Sequence, residues 1–177
     1  MISGWSEREA SQNWNTSAQI DNSIFVGGYL AAADPEHLRS RGITHVLKLF
    51  ADDSSYPGGC VRHPRIIYGV VPAEDVEGFA LDRYFGSCLK FIGGALASEG
   101  KVFVHCHMGV SRAPTICILY LMSFRGLSLA AAWRRVKACR PQAEPNPGFK
   151  KLLARYGAWQ AEARRRWGGR PYRPGLA

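Results

Sequence analysis

The chain has 177 residues, 46% of them hydrophobic and 21% charged, with a formal net charge of +9. That suits one soluble domain with ordinary tails, and no apolar run reaches the roughly 18–20 residues that a membrane helix needs. The opening "MISGWSEREASQNWN" lacks a signal-peptide core, residue 2 is not the Gly of a myristoylation site and the C-terminus is not a prenylation box, so a cytoplasmic or nuclear protein is expected.

Residues 1–19 read as a weakly structured N-terminal extension, with Trp5 and Trp14 as possible anchors. "IDNSIFVGGYL" predicts a strand at Ile24 to Val26, ended by two glycines. "DPEHLRSRG" predicts a short helix with Asp34 as N-cap, Pro35 at its first position and Gly42 closing it. "ITHVLKLF" reads as a buried strand, "ADDSSYPGGCVRHP" as a loop, "RIIYGVV" as another strand and "AEDVEG" as a loop. From Phe79 to Ala97, the spacing of Leu81, Phe85, Leu89 and Ile92 predicts a helix, locally weakened by Gly93 and Gly94. "KVFVH" is the next strand, followed by a helix from Arg112 to Phe124. A helix capped by Ser128 stops before Pro141, and a last one starts at Asn146 as N-cap with Pro147 at N1, running to about Arg166. Strands alternating with helices predict an α/β fold, a central mostly parallel twisted sheet flanked by helices, with ligands at the carboxyl ends of the strands.

The basic excess is local. Residues 133–177 hold 12 Lys/Arg and 2 Asp/Glu, whereas residues 1–132 hold 11 and 12. Residues 161–177 therefore read as a basic C-terminal tail, a solvated end or a contact for an anionic partner. Signatures of nucleic-acid base recognition are missing, so no specific nucleic-acid partner is expected. The five cysteines are Cys60, Cys88, Cys106, Cys117 and Cys139, an odd number with no C-x-x-C pair, which argues against a disulfide framework and a zinc ribbon.

The chemistry concentrates after "KVFVH", in the segment from Cys106 to Arg112. A loop with a Gly, running from a strand end into a helix start, can turn its N–H groups inward, and the helix N-terminus adds positive potential. Arg112 adds a planar fork that matches two phosphoryl oxygens. The same field favours thiolate over thiol at Cys106, which makes it a nucleophile. A metal site on His105, Cys106 and His107 lacks a fourth ligand at standard spacing, and the nucleotide loop G-x-x-x-x-G-K-[ST] is missing. No cofactor and no metal are called for.

"VHCHMGVSRAPT" resembles the signature H-C-x-x-G-x-S-R-S-x-T of the dual-specificity protein phosphatases, within the cysteine-dependent protein tyrosine phosphatase superfamily. "IFVGGYLAAADPEHLRSRGITHVLKL", "PAEDVEGFALDRYF" and "PNPGFKKLLARY" resemble other parts of that domain, so the likeness covers about residues 20–160. The resemblance implies a protein-tyrosine-phosphatase-like fold and hydrolysis of phosphotyrosine and phosphoserine/threonine through a cysteinyl-phosphate. By position it makes Cys106 the nucleophile, Arg112 the phosphate-binding arginine and Ser111 the hydroxyl that helps the thiolate leave. His107, Met108, Gly109 and Val110 match the backbone cradle, which Ser111 and Arg112 complete. Asp75 matches the general acid, and His105 a supporting residue.

Phosphoester cleavage independently calls for a proton donor on the leaving-group side. Glu74, Asp82, Asp52 and Asp53 compete with Asp75 for that role, and Asn146 reads only as a cap. The expected partner is a phosphoprotein, a protein kinase among the candidates, with a phosphate or sulfate ion as occupant of the loop. Cys88 and Cys117 read as buried thiols, with pairing to an oxidised Cys106 as the alternative. Three departures from the family pattern stand out: Ala113 for a second Ser, "LKLF" where an Asn is common, and "PQAEP" for an apolar filling. The alternatives are the same chemistry on a phosphoinositide, an RNA 5′-phosphate or a phosphoglycan, and an idle phosphoprotein-binding module. The cradle carries no Lys, which lowers the phosphoinositide reading, and an idle module would be expected to have lost the Cys, the Arg or the acid.

Overall fold

The computed structural model describes residues 16–51 and 62–167. Five strands form one sheet: β1 (Ser17–Gln19), β2 (Ile24–Gly27), β3 (His45–Lys48), β4 (Ile67–Val70) and β5 (Val102–His105), in the order β1-β2-β5-β3-β4. Only the β1–β2 pair is antiparallel; β2, β5, β3 and β4 run parallel. The central strand β5 is fully buried, and its run of apolar residues is what a strand covered on both faces requires. Side chains alternate across the sheet. Val26, Val104 and Leu47 join the larger core, and Phe25, Phe103 and Val46 the smaller one.

Two short helices, α1 (Tyr29–Ala33) and α2 (Pro35–Ser40), cover the smaller core. Four helices cover the other face: α3 (Phe85–Ala97), α4 (Arg112–Phe124), α5 (Leu129–Cys139) and α6 (Pro147–Trp167). Helix α4 is buried from Arg112 to Ser123, the mark of a helix enclosed on all sides. Three caps form as the sequence indicates. Asp34 accepts from the N–H groups of Glu36 and His37, Ser128 from Ala131, and Asn146 from Phe149 at 2.9 Å.

Several expectations shift. Ser17–Gln19, expected within the N-terminal extension, forms the edge strand β1; it owes its structure to pairing with β2 rather than to an apolar pattern of its own. Helix α1 had no sequence signal. The helix expected from Phe79 begins later, as a 3₁₀ turn at Leu81–Tyr84, because Phe79 N–H closes a turn onto Val76 O at 3.1 Å. Helix α6 runs to Trp167, in line with the expected end at about Arg166, so residues 161–167, also read as the start of the basic tail, are helical. Its Arg165 and Arg166 pair with Glu162, and Arg164 donates to Gly126 O. Residues 168–177, Trp5, Trp14, Cys60, Asp52 and Asp53 lie outside the described residues. No described helix is long and apolar enough to cross a membrane.

Candidate active site

The parallel register aligns Gly27, His105 and Lys48 across β2, β5 and β3, so the chain leaves β5 between two other strand ends. Cys106 follows at once, only 1% exposed. Gly109 turns the loop with φ +66°, and a Cβ there would lie 2.5 Å from the carbonyl carbon and oxygen of Gly27. Left-handed backbone and lack of space both demand glycine. The turn brings Gly109 N–H to 3.3 Å from Cys106 Sγ. The loop then enters α4, whose first-turn N–H groups have no intrahelical acceptors and face it with the positive end of the helix dipole.

Arg112, the first residue of α4, is 7% exposed. Its Nη1 donates to Leu49 O at 3.2 Å and Ala73 O at 3.1 Å, which fixes the guanidinium plane. Its Nε is buried, makes no hydrogen bond among the described residues and lies 3.4 Å from Asp75 Oδ2. That edge of the fork is left to hold an oxyanion. Leu49 acts through its carbonyl, so the "LKLF" departure removes no side chain that Arg112 uses. Ala113 is fully buried, with no space beside it open to solvent.

Asp75 reaches the loop from the segment after β4. Its Oδ1 accepts from Ser111 Oγ at 2.7 Å and from Asn146 Nδ2 at 2.9 Å. The structure thus gathers Cys106, Ser111, Arg112 and Asp75. Of the competing carboxylates, Glu74 is exposed, and Asp82 pairs with Arg155 at 2.9 Å. The Ser111 hydroxyl donates to Asp75 and accepts from Asn146 N–H at 3.0 Å.

The two histidines are placed differently. His105 is buried, with Nδ1 3.4 Å from Cys106 O, and packs against Phe50 and Phe103. His107 lays its ring edge-on to Phe50 at 4.2 Å and enters the loop with its backbone. No group of three or more His, Cys, Asp or Glu among the described residues is arranged to hold a metal ion. Cys88 and Cys117 are free buried thiols; burial pushes the Cys88 thiol up to about 12 and raises that of Cys117 as well.

Two residues at the site do more than the sequence indicates. Asn146 is a cap, and also a donor to Asp75, because an amide has both an acceptor and donors. Arg140, at the end of α5, donates to the carbonyls of Met108 and Gly109. Its only local cue is a basic residue before Pro141, which equally describes a solvated helix end.

Comparison with known proteins follows the same geometry. The profile of the dual specificity phosphatase catalytic domain matches residues 24–158. Dual specificity protein phosphatase 1 of Arabidopsis thaliana is 38% identical over 140 residues, covering 78% of this chain and 68% of that protein. Dual specificity protein phosphatase 14 of Mus musculus is 36% identical over 139 residues, again 78% of this chain and 68% of that protein. The crystal structure of DUSP15 superposes with a TM-score of 0.75 at 29% identity, over 86% of this chain and 94% of that one.

Proposed function

Because the chain belongs to the dual specificity phosphatase family, we propose that the loop from Cys106 to Arg112 and the facing Asp75 carry out its phosphoric monoester hydrolysis. The substrates are phosphoproteins. In the first step Cys106 Sγ forms a bond to phosphorus while the P–O bond to the leaving group breaks. Asp75 delivers its proton to the departing oxygen. In the second step Asp75 takes a proton from water as the water attacks phosphorus, and the S–P bond breaks to return the thiolate. The loop N–H groups and the Nε edge of Arg112 hold the non-bridging oxygens as charge builds on them. Ser111, bonded to Asp75, ties the acid to the loop.

The observation that carries this reading is the contact of Asp75 with both Ser111 and Arg112. A carboxylate from a loop 31 positions before the cysteine meets the cradle at its rim. We assign the unit to residues 20–160, with the basic segment 161–177 available for an anionic partner, and place the protein in the cytoplasm or nucleus. The four described cysteines are all free, which suits a reducing compartment.

Replacing Cys106 by Ser should abolish turnover of an aryl phosphate and of phosphotyrosyl and phosphothreonyl peptides, while orthovanadate still binds. Replacing Asp75 by Asn should lower the rate by about 10²–10⁴-fold and remove the alkaline limb of the pH profile. Turnover surviving the serine substitution would refute the assignment.

A further inference from the structure

Every carbonyl from His107 to Val110 has a donor outside the loop. His107 O accepts from Tyr29 N–H at 2.8 Å, and Val110 O from Glu144 N–H at 2.6 Å. The two between them are held by one side chain: Arg140 Nη2 donates to Met108 O at 2.8 Å, and Arg140 Nε to Gly109 O at 2.6 Å. In a trans peptide the C=O and the next N–H point in opposite directions, and the described residues contain no cis peptide. Each carbonyl drawn outward therefore turns the following N–H inward, which orients Met108, Gly109, Val110 and Ser111 in turn. The Gly109 N–H displays the result, since it points at Cys106 Sγ.

Arg140 is 2% exposed, and burying a charge is costly unless it is well paired. Burial pushes its guanidinium down to about 10, a fall opposed by the nearby Cys106 sulfur, so it carries a full charge at neutral pH. Its third corner, Nη1, donates to Thr16 O at 3.3 Å and lies 3.4 Å from Thr16 Oγ1, just ahead of β1. The carbonyls of Met108 and Gly109 belong to successive peptide planes. A planar fork engages both at once, whereas an ammonium is a point donor on a flexible stem.

We propose that Arg140 is the positioning residue of the phosphate cradle: its fork sets the Met108–Gly109 and Gly109–Val110 peptide planes so that their N–H groups face the bound anion, and it couples that loop to the segment entering β1. It acts through the backbone. The proposal rests on the loop's being the phosphate site.

The test compares Arg140→Lys, Arg140→Met and Arg135→Lys in the full chain. Arg135 is the control because it lies in α5, which Arg140 ends, and donates to a backbone carbonyl outside the loop, that of Ile20, at 3.0 Å. The readouts are orthovanadate inhibition, the rate of Cys106 alkylation by iodoacetamide at neutral pH, and kcat and KM on an aryl phosphate. Both Arg140 variants should weaken vanadate binding about tenfold or more, since oriented donors to an anion are lost. Alkylation should slow in the order wild type, Arg140→Lys, Arg140→Met, because the lysine keeps the charge and loses the fork. Arg135→Lys should leave vanadate binding and alkylation within about twofold of wild type, whatever its melting temperature, because its bond lies outside the loop.

Vanadate binding retained in Arg140→Lys would overturn the proposal. So would failure of both Arg140 variants to fold, which would make the role purely structural. A wild-type protein that neither binds vanadate nor turns over the ester would instead overturn the phosphate-site reading itself.

Discussion

Asn146 offers a sharp test of how the acid is held, because its two functions can be separated by one substitution. Its Oδ1 caps α6 through Phe149 N–H, while its Nδ2 donates to Asp75 Oδ1 at 2.9 Å. Asn146→Ser keeps a capping oxygen of about equal quality, so stability should stay within ~0.5 kcal/mol and the melting temperature within about 2 °C. The serine hydroxyl is too short to reach Asp75. A hydrogen bond to a charged acceptor is worth about 1.5–3 kcal/mol, and the lower end applies here because the Asp75 side chain is 32% exposed.

If that bond is what holds the acid in line, kcat/KM should fall about tenfold. The fall should depend on the leaving group. Phenyl phosphate needs its leaving oxygen protonated more than p-nitrophenyl phosphate does, so the defect should be larger for the phenyl ester. Asn146→Ala should lose the cap as well, at about 1 kcal/mol of stability. The assay is steady-state turnover of the two esters beside a thermal melt. An Asn146→Ser variant that melts like wild type and hydrolyses phenyl phosphate within twofold of it would refute the reasoning.

Gly148 is where α6 meets the acid loop: a Cβ there would lie 2.0 Å from Glu77 O, closer than any real contact. Gly148→Ala should push the loop carrying Asp75 away and lower kcat/KM by about 10²-fold, while Cys106 alkylation by iodoacetamide stays at the wild-type rate; slowed alkylation would mean that the cradle itself had moved. Away from the site, Asp21 accepts from Tyr120 Oη at 2.6 Å, from Arg125 at 2.8 Å and 2.9 Å, and from the N–H groups of Ser23 and Ile24. Burial alone would raise its carboxyl, but the bonds from Tyr120, Ser23 and Arg125 outweigh it and hold the group below its ordinary value. A lowered carboxylate contributes stability that is complete above the unfolded value of about 3.9 and is lost as pH falls through the lower folded value. Asp21→Asn should therefore cost about 1–3 kcal/mol at pH 7, and the gap from wild type should narrow in thermal melts as pH falls through the lowered value of the folded carboxyl. A gap that stays constant down to pH 2 would rule out this charge as its source.

What the sequence disclosed, and what it withheld, divides by the range of the forces involved. The strand–loop–helix unit from Val102 to Phe124 was legible because its signals are adjacent: an apolar run, a Gly at the turn, an Arg at the helix start. The caps Asp34, Ser128 and Asn146 were legible for the same reason, each acting on N–H groups two or three residues on. Helix α1 was not, since Gly28 gives no side-chain cap and the helix carries no acidic residue in its first turn. Its start is fixed from outside, by Tyr29 N–H on His107 O. Nor could β1 be read from three residues that become a strand only against β2.

The same division runs through the site. The groups that would touch phosphate lie within seven consecutive residues, Cys106 to Arg112, and there residue type alone is informative. The groups that aim them come from far along the chain. Ser111 meets Asp75 across 36 positions, Asn146 meets Asp75 across 71, and Arg140 reaches Gly109 across 31 and Thr16 across 124. Most of these contacts use a backbone atom or a dual-purpose amide, and neither leaves a distinctive letter in the sequence. An Asn read as a cap is complete as a local explanation, and an Arg before Pro141 looks like any helix end. The cradle is therefore specified twice: locally by the residues that form it, and non-locally by the donors that turn its carbonyls outward. A substitution at Arg140 should therefore disable the loop with every residue of the motif intact, whereas the Glu144 donor is a backbone N–H that a change of side chain leaves in place.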